Sequence, residues 1–334
     1  MIGVGVIGYG YWGPNIARVF NSMDGSRLVG VCDVNPGALK KASAAYPNVR
    51  ITSDCNELLS STDADAVAII TPVFMHYDLA KKALLQGKHV FIEKPFTLTS
   101  TQAEELIELA EKKNLVIMVD HTFLYTGAVR KIKQLIDEDV LGDLLYFDSV
   151  RVNLGLFQHD INVVWDLAPH DLSVLDYLIA EKPAAISATG ISHFNAALED
   201  IAYLTIHFPN NLIAHLNVNW LSPVKIRTTL IGGCKKMVVW NDLEADDKIK
   251  IYDKGIEITT KEGVYNLLVS YRWGDMWAPK LDQTEALKRE GEHFLHCIQD
   301  CKPPTSDALS GLRVVRMLEA ASQSLKNKGE MVYL

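Results

Sequence analysis

The sequence predicts an α/β protein: an N-terminal Rossmann doubly wound parallel sheet, then a C-terminal α/β domain with a large open, mainly antiparallel sheet. Three observations predict it. Up to about residue 121, short β-branched apolar runs alternate with longer amphipathic stretches. Beyond that point the apolar runs follow one another across short turns. Between the first run and the first helical stretch lies a glycine-rich turn, Gly8-Tyr9-Gly10-Tyr11-Trp12-Gly13. A chain of 334 residues also exceeds the usual size of a single core, which agrees with two domains.

The apolar runs of the first part cover 4–7, 28–33, 49–52, 66–70, 89–93 and 115–119, with helical patterns at 15–21, 36–45, 77–85 and 100–113. Strands that are apolar throughout, alternating with helices, mean a parallel sheet covered on both faces. In the second part, helices are expected at 128–137 and 172–179, and strands at 144–153, 185–192, 200–208, 212–220, 225–231 and 237–240. Pro209-Asn210-Asn211 and Gly232-Gly233 supply turns between such runs. Two last helices, 283–301 and 307–326, are separated by Pro303-Pro304. The expected domains are therefore 1–121 and 122–334, with the last helices free to pack back on the first domain. There is no internal repeat and no low-complexity tract.

Hydrophobic residues make up 48% and charged residues 22%, ample apolar material for packed cores. The net charge of -8 is interspersed rather than gathered in blocks, which argues against nucleic acid as a partner, since that needs a basic face. Met1 to Gly8 run straight into a strand without a positively charged leader, and no apolar run approaches the roughly 18 to 20 residues of a membrane span. A cytoplasmic protein without a membrane partner is expected. The cysteines, Cys32, Cys55, Cys234, Cys297 and Cys301, are scattered and form no C-x-x-C pair, so reduced thiols and no metal site are expected.

The glycine turn matches G-x-G-x-x-G, a weak signal alone that gains weight from its place between strand and helix. Gly8 permits the tight turn, Gly10 lets a pyrophosphate approach backbone N–H groups, and Gly13 allows close helix–sheet packing. The helix N-terminus adds positive partial charge for the phosphates. Asp33 ends the second run twenty positions after Gly13, where a carboxylate accepts from an adenine-ribose diol and repels a 2′-phosphate. No arginine follows in Val34-Asn35-Pro36, so NAD is preferred over NADP.

Ligands of such sheets bind beyond the carboxyl ends of the strands. Thr71-Pro72, Glu93-Lys94-Pro95 and Asp120-His121 stand at those ends. The cofactor candidates are Gly8, Gly10, Tyr11, Trp12, Gly13, Asp33, Thr71, Pro72, His76, Glu93, Lys94 and Pro95. Lys94 is either a functional cation at the mouth of the cleft or a solvated charge. Asp166-Leu167-Ala168-Pro169-His170 places a carboxylate and an imidazole on one helical turn, as a general base and its orienting acid require; equally, it could be a helix cap beside a satisfied histidine.

Taken together, Gly8 to Gly13, Asp33, Glu93-Lys94-Pro95 and Asp166-x-x-x-His170 resemble the Gfo/Idh/MocA family of oxidoreductases through essentially the whole chain. The resemblance implies that Lys94, Asp166 and His170 line a substrate cleft beside the nicotinamide. Lys94 would bond the reacting hydroxyl, His170 would be the general acid/base, and Asp166 would orient it or bind a neighbouring hydroxyl. Pro95 would follow a cis peptide bond.

Two stretches, 121–125 and 153–158, are similar to the branch acting at C3 of UDP-N-acetylglucosamine and of its uronate. Substrate candidates are then Lys94, Tyr125, Arg151, Asn153, Gln158, Asp166, His170 and Arg227, with Lys225, Arg272 and Trp165 also available. Inositol or free-sugar oxidation is the alternative within the family, and a non-catalytic dinucleotide-responsive regulator is the alternative outside catalysis. The resemblance further implies a homodimer or homotetramer through the C-terminal sheet, which needs a partner surface if its outer face carries residues such as Ile206, Leu216 and Val218.

Overall fold

The computed structural model describes residues 1–155, 160–194, 198–257 and 270–334. The chain forms two compact units, one of Met1–Tyr125 with Thr284–Arg316, the other of Thr126–Gln283 with Met317–Leu334. Among the described residues no helix is long and apolar enough to cross a membrane.

In the first unit, β1 (Ile2–Ile7), β2 (Ser26–Cys32), β3 (Arg50–Thr52), β4 (Ala66–Ile69), β5 (His89–Glu93) and β6 (Ile117–Asp120) make a sheet in the order β3-β2-β1-β4-β5-β6. All its pairings are parallel. Every residue of β1 and β4 is buried, which is why their sequences are unbroken apolar runs. Strand order reverses between β1 and β4, and there Ile7 pairs with both Cys32 and Ile69, so three strand ends are level. That crevice is where such sheets take ligands.

Local chemistry sets the helix starts. Asn35 caps Pro36–Ala45 by accepting from the Gly37 N–H, with proline in the first turn. Thr99 caps Ser100–Lys113 through the Gln102 N–H, and Asn114 ends that helix in the left-handed conformation. The short helix Cys55–Leu59 had no periodic signal to predict it. The helix Ala286–Asp300 belongs to this unit, where Phe294 meets Phe20 and Phe91 edge-on at 6.2 and 5.6 Å between ring centroids.

Among the described residues the second unit is built on nine strands: β7 (Leu144–Leu154), β8 (Ala185–Ile191), β9 (Ile201–His207), β10 (Ile213–Asn219), β11 (Leu221–Gly233), β12 (Met237–Asn241), β13 (Ile249–Glu257), β14 (Ser270–Trp277) and β15 (Val332–Tyr333). Their order is β14-β13-β12-β11-β7-β10-β9-β8-β15. Among the described residues only β7 and β10 pair in parallel, so the sheet is mixed and mainly antiparallel.

Period-two alternation decides which face is covered. Ala202, Leu204 and Ile206 on β9 and Ala214, Leu216 and Val218 on β10 are all fully buried, on the face that meets the helix Val163–Leu178. The expectation that Ile206, Leu216 and Val218 lie on an outer face is therefore corrected. The open face carries instead Tyr203, stacked on His215 at 6.2 Å, with Thr205 and Asn217 beside them.

Arg151 projects from the covered side of β7 into a fork with Asp171 of the helix Val163–Leu178: Nε donates at 2.7 Å and Nη2 at 3.0 Å. Their side chains are 5% and 2% exposed. Removing one partner of a buried pair strands the other charge, which typically costs about 3–5 kcal/mol. Asp171→Ala should therefore lower unfolding free energy by roughly that amount in urea titration. A loss below about 1 kcal/mol would show that the pair is solvated and not structural.

Candidate functional site

The glycine turn at the end of β1 is shaped by backbone proximity. Gly8 has φ +98°, and a Cβ on it would stand 2.2 Å from the carbonyl oxygen of Ile70. A Cβ on Gly13 would stand 2.2 Å from the oxygen of Gly8. Around Gly10 the position of a Cβ has no atom within 4 Å, so this backbone faces open space. The helix Gly13–Ser22 that follows has Trp12 as its cap residue, with no side-chain acceptor for its first N–H groups. Uncapped N–H groups at a helix start are suited to phosphate oxygens.

Beside the turn lies a cavity of about 190 Å³ lined by Gly8, Gly10, Asp33, Thr71, Pro72, Met75 and Leu79, among others, with no lysine or arginine in its wall. Asp33 is held from both sides: Oδ2 accepts the Tyr9 N–H at 2.6 Å and Oδ1 the Asn35 N–H at 2.7 Å. The carboxylate is thus fixed, and each oxygen keeps a lone pair for a ribose hydroxyl. The Thr71 hydroxyl is buried with no hydrogen-bond partner among the described residues, an orphan that a bound ligand would satisfy. Glycine spacing, oriented acid and orphan hydroxyl all fit NAD, which Gly8, Gly10, Gly13, Asp33, Thr71 and Pro72 would hold.

The remaining cofactor candidates fall in different settings. Tyr11 is 90% exposed. Trp12 donates through Nε1 to Asp120 Oδ2 at 2.9 Å, tying the glycine turn to the end of β6. His76 is buried behind the strand ends, with Nε2 at 2.8 Å from the Thr71 carbonyl and Nδ1 at 2.9 Å from that of Pro95. Burial pushes its pKa down, the backbone groups of Thr71, Pro95 and Phe96 oppose that, and the Lys94 charge adds to the lowering. His76 therefore braces the segments bearing Thr71 and Lys94 and does not line the cavity. Lys94 follows Glu93, the last residue of β5, and is joined to Pro95 by a cis peptide bond.

In the second unit, Asn162 caps the helix Val163–Leu178 by accepting from the Trp165 N–H at 3.1 Å. The helix starts well before the expected 172. Asp166 lies in its first turn and His170 one turn later, so the pair shares a helix face and neither is the cap. Asp166 Oδ2 accepts from Trp220 Nε1 at 3.0 Å, which fixes the carboxylate.

Several substrate candidates are already engaged. Arg151 is spent in its buried pair with Asp171, which removes it from the set. Tyr125 is buried with its hydroxyl 3.0 Å from Ser306 Oγ, and burial pushes its pKa well above the usual value. Trp165 gives its indole N–H to Ser322 at 2.8 Å. Arg227 and Arg272 pair with Asp242 and Asp253 at 3.3 and 3.0 Å but remain partly exposed. Lys225 is exposed and Asn153 half-buried. Gln158 and its neighbours Leu156 and Phe157 lie outside the described residues.

One group went unread in the sequence. Glu290, fully buried, faces Asp120 and Glu93. Its signal was positional, since it shares the stripe of Leu287, Gly291, Phe294 and Leu295, all buried, on its helix.

Residues 2–121 match the family model described as oxidoreductase family, NAD-binding Rossmann fold, and residues 129–238 the one described as GFO/IDH/MocA C-terminal domain; together these span more than half the chain. The chain is 29% identical over 329 residues to the UDP-N-acetylglucosamine 3-dehydrogenase of Acidithiobacillus ferrooxidans, covering 93% of each. A solved structure of that enzyme matches with a TM-score of 0.83 and 26% identity, over 98% of this chain and 99% of that one. Similarity extends over 65% and 64% of this chain to an uncharacterized oxidoreductase of Streptococcus pneumoniae (28% identical) and the 2,7-anhydro-N-acetylneuraminate hydratase of Mediterraneibacter gnavus (26%). The match spans 62% and 60% of those two proteins, less than two thirds of their length.

Hydrogen bonds to a charged acceptor are worth about 1.5–3 kcal/mol, so Asp33→Ala should weaken NAD binding by roughly 10- to 100-fold. It should also narrow the preference over NADP, because the charge opposing a 2′-phosphate is gone. Calorimetric titration with both cofactors checks this. An unchanged preference would remove Asp33 from the ribose site.

Proposed function

The chain belongs to the Gfo/Idh/MocA family of NAD-binding oxidoreductases, and from that premise we propose that it oxidises C3 of a UDP-N-acetylhexosamine or its uronate. The observation that carries this choice is the likeness to a UDP-N-acetylglucosamine 3-dehydrogenase along nearly the full length of both chains. Family membership alone supports only an NAD-dependent dehydrogenase.

Oxidising a secondary alcohol breaks two bonds: the C–H bond, whose electron pair leaves with the hydrogen, and the O–H bond, whose proton needs a base. NAD, when bound, supplies the hydride acceptor. Lys94, whose backbone continues from buried β5, bonds the reacting hydroxyl through its ammonium and stabilises charge as it develops on oxygen. His170 takes the proton. Its Nδ1 is buried, so Nε2 is the atom assigned to that transfer. Asp166, held by the Trp220 indole, orients the imidazole or receives a neighbouring sugar hydroxyl. Lys225 and Arg227, two residues apart on β11, are assigned to the diphosphate.

A positioned acid/base is typically worth about 10² to 10⁴ in rate, so Lys94→Ala and His170→Ala should each lower kcat by that order while the Kd for NAD stays within about twofold. Since both act on one proton-transfer step, the double variant should lose far less than the product of the two single losses. A His170→Ala variant turning over at near wild-type rate would end its role as base.

The substrate is tested separately. UDP should inhibit competitively against the sugar if the nucleotide is recognised. Turnover of inositols or free hexoses without UDP inhibition would replace the nucleotide-sugar reading by the polyol one.

A further inference from the structure

Glu290 is a carboxyl group in an unusual setting. It sits on the helix Ala286–Asp300 with 0% exposure, and the groups that face it are the carboxylates of Asp120 and Glu93, the Thr122 hydroxyl and the Tyr125 ring. Its own helix sends it no cation. Arg289 turns Nη1 to the Tyr125 carbonyl at 3.1 Å, and His293 Nε2 accepts from the Thr305 N–H at 2.9 Å. Among the described residues neither Glu290 oxygen has a partner of good hydrogen-bond geometry, and the nearby Thr122 hydroxyl, which donates to Asp120, only partly offsets the burial. Two carboxyls pressed together out of water cannot both ionise, and the one that keeps its proton becomes a donor to the other. Burial pushes the Glu290 carboxyl well above the ordinary carboxylate range, and the Asp120 and Glu93 charges push the same way.

The other side of Asp120 points to what this serves. Asp120 accepts the Trp12 indole N–H at 2.9 Å and the Thr122 hydroxyl. Trp12 lies inside the glycine turn, between Gly10, whose backbone faces open space, and Gly13, which opens the helix. All these residues belong to the first unit. We propose that Glu290 is a positioning residue for the dinucleotide: as a neutral acid it donates to Asp120, and so fixes the carboxylate that holds Trp12 in the glycine turn. This depends on the cofactor site alone and stands whatever the sugar substrate is.

The sign of the pH dependence follows. With its folded-state pKa above the unfolded value of about 4.3, Glu290 keeps a proton that the unfolded chain has released. Stability therefore falls as pH rises from about 5 towards the folded-state value. When the proton is finally lost, Asp120 loses its donor and gains a repelling neighbour, and the hold on Trp12 loosens. Glu290→Gln keeps a donor and removes the titration.

The test uses the full-length protein, with Tm followed from pH 5 to 9 and the Kd for NAD measured by calorimetry. Glu290→Gln should bind NAD within about twofold of wild type at pH 6, and its Tm should gain on wild type as pH rises. Glu290→Leu should weaken NAD about tenfold, the scale of one hydrogen bond. Trp12→Phe should do the same, and the two together should cost no more than about either alone, since both act through one carboxylate. Wild-type NAD affinity in Glu290→Leu, or losses that multiply in the double variant, would overturn the proposal. So would a Glu290→Gln protein whose Tm follows wild type at every pH. Should Glu290→Leu fail to fold, unweakened NAD binding by Trp12→Phe would be equally decisive.

Discussion

A Cβ on Gly13 would stand 2.2 Å from the Gly8 carbonyl oxygen, and one on Gly8 would stand 2.2 Å from that of Ile70. Three backbone segments, the end of β1, the residue after β4 and the start of the helix Gly13–Ser22, thus meet at contact distance where strand order reverses. No side chain of any kind fits at either position. This close approach brings the uncapped helix N-terminus to the carboxyl end of the sheet, and the other features of the cofactor site are arranged around it. Asp33 is oriented by the Tyr9 N–H of the same turn, and the Thr71 hydroxyl lies one residue beyond Ile70.

How legible these elements are in the sequence depends on how each is buried. Strands covered on both faces leave continuous apolar runs, so β1, β4 and β5 can be read directly, and Asn35-Pro36 and Thr99 mark their helices through ordinary capping chemistry. The helix Val163–Leu178 misleads because Pro169 in its interior argues against a helix, yet burial of Val163, Val164 and Ala168 outweighs that penalty. β13 and β14 have charged and aromatic residues interleaved, with Trp273 and Tyr271 exposed, and so carry no clean alternation. Ile206, Leu216 and Val218 show the limit of period-two reasoning. It sorts residues onto faces but does not say which face a helix will cover.

The same distinction separates the site residues. Glycine spacing, Asp33 and the Lys94 tripeptide are local and visible. Arg151, by contrast, follows Phe147 and Ser149 on the buried alternation of β7, and Glu290 follows the buried stripe of its helix. A charged residue on an apolar stripe looks like a solvated surface group until its partner is known. The partners here, Asp171 and Asp120, lie on other elements of the chain.

These two buried polar sites meet the cost of burial in opposite ways. Arg151 and Asp171 form a bidentate charged fork that binds β7 to its covering helix. Among the described residues no cation faces Glu290 beside Asp120 and Glu93, and burial favours its neutral, protonated form. The setting makes sense at the open end of a parallel sheet. Beyond the last ladder pairs, Ile69 with Ile92 and Glu93 with Asp120, backbone hydrogen bonds no longer hold neighbouring strands together. Side chains then take over the bracing: His76 between the carbonyls of Thr71 and Pro95, and Asp120 between Trp12 and Thr122. A neutral His76 has one N–H for two carbonyls, while burial and Lys94 oppose a second proton. Both braces therefore depend on where a single buried proton resides, at the strand ends that must hold a cofactor in fixed geometry.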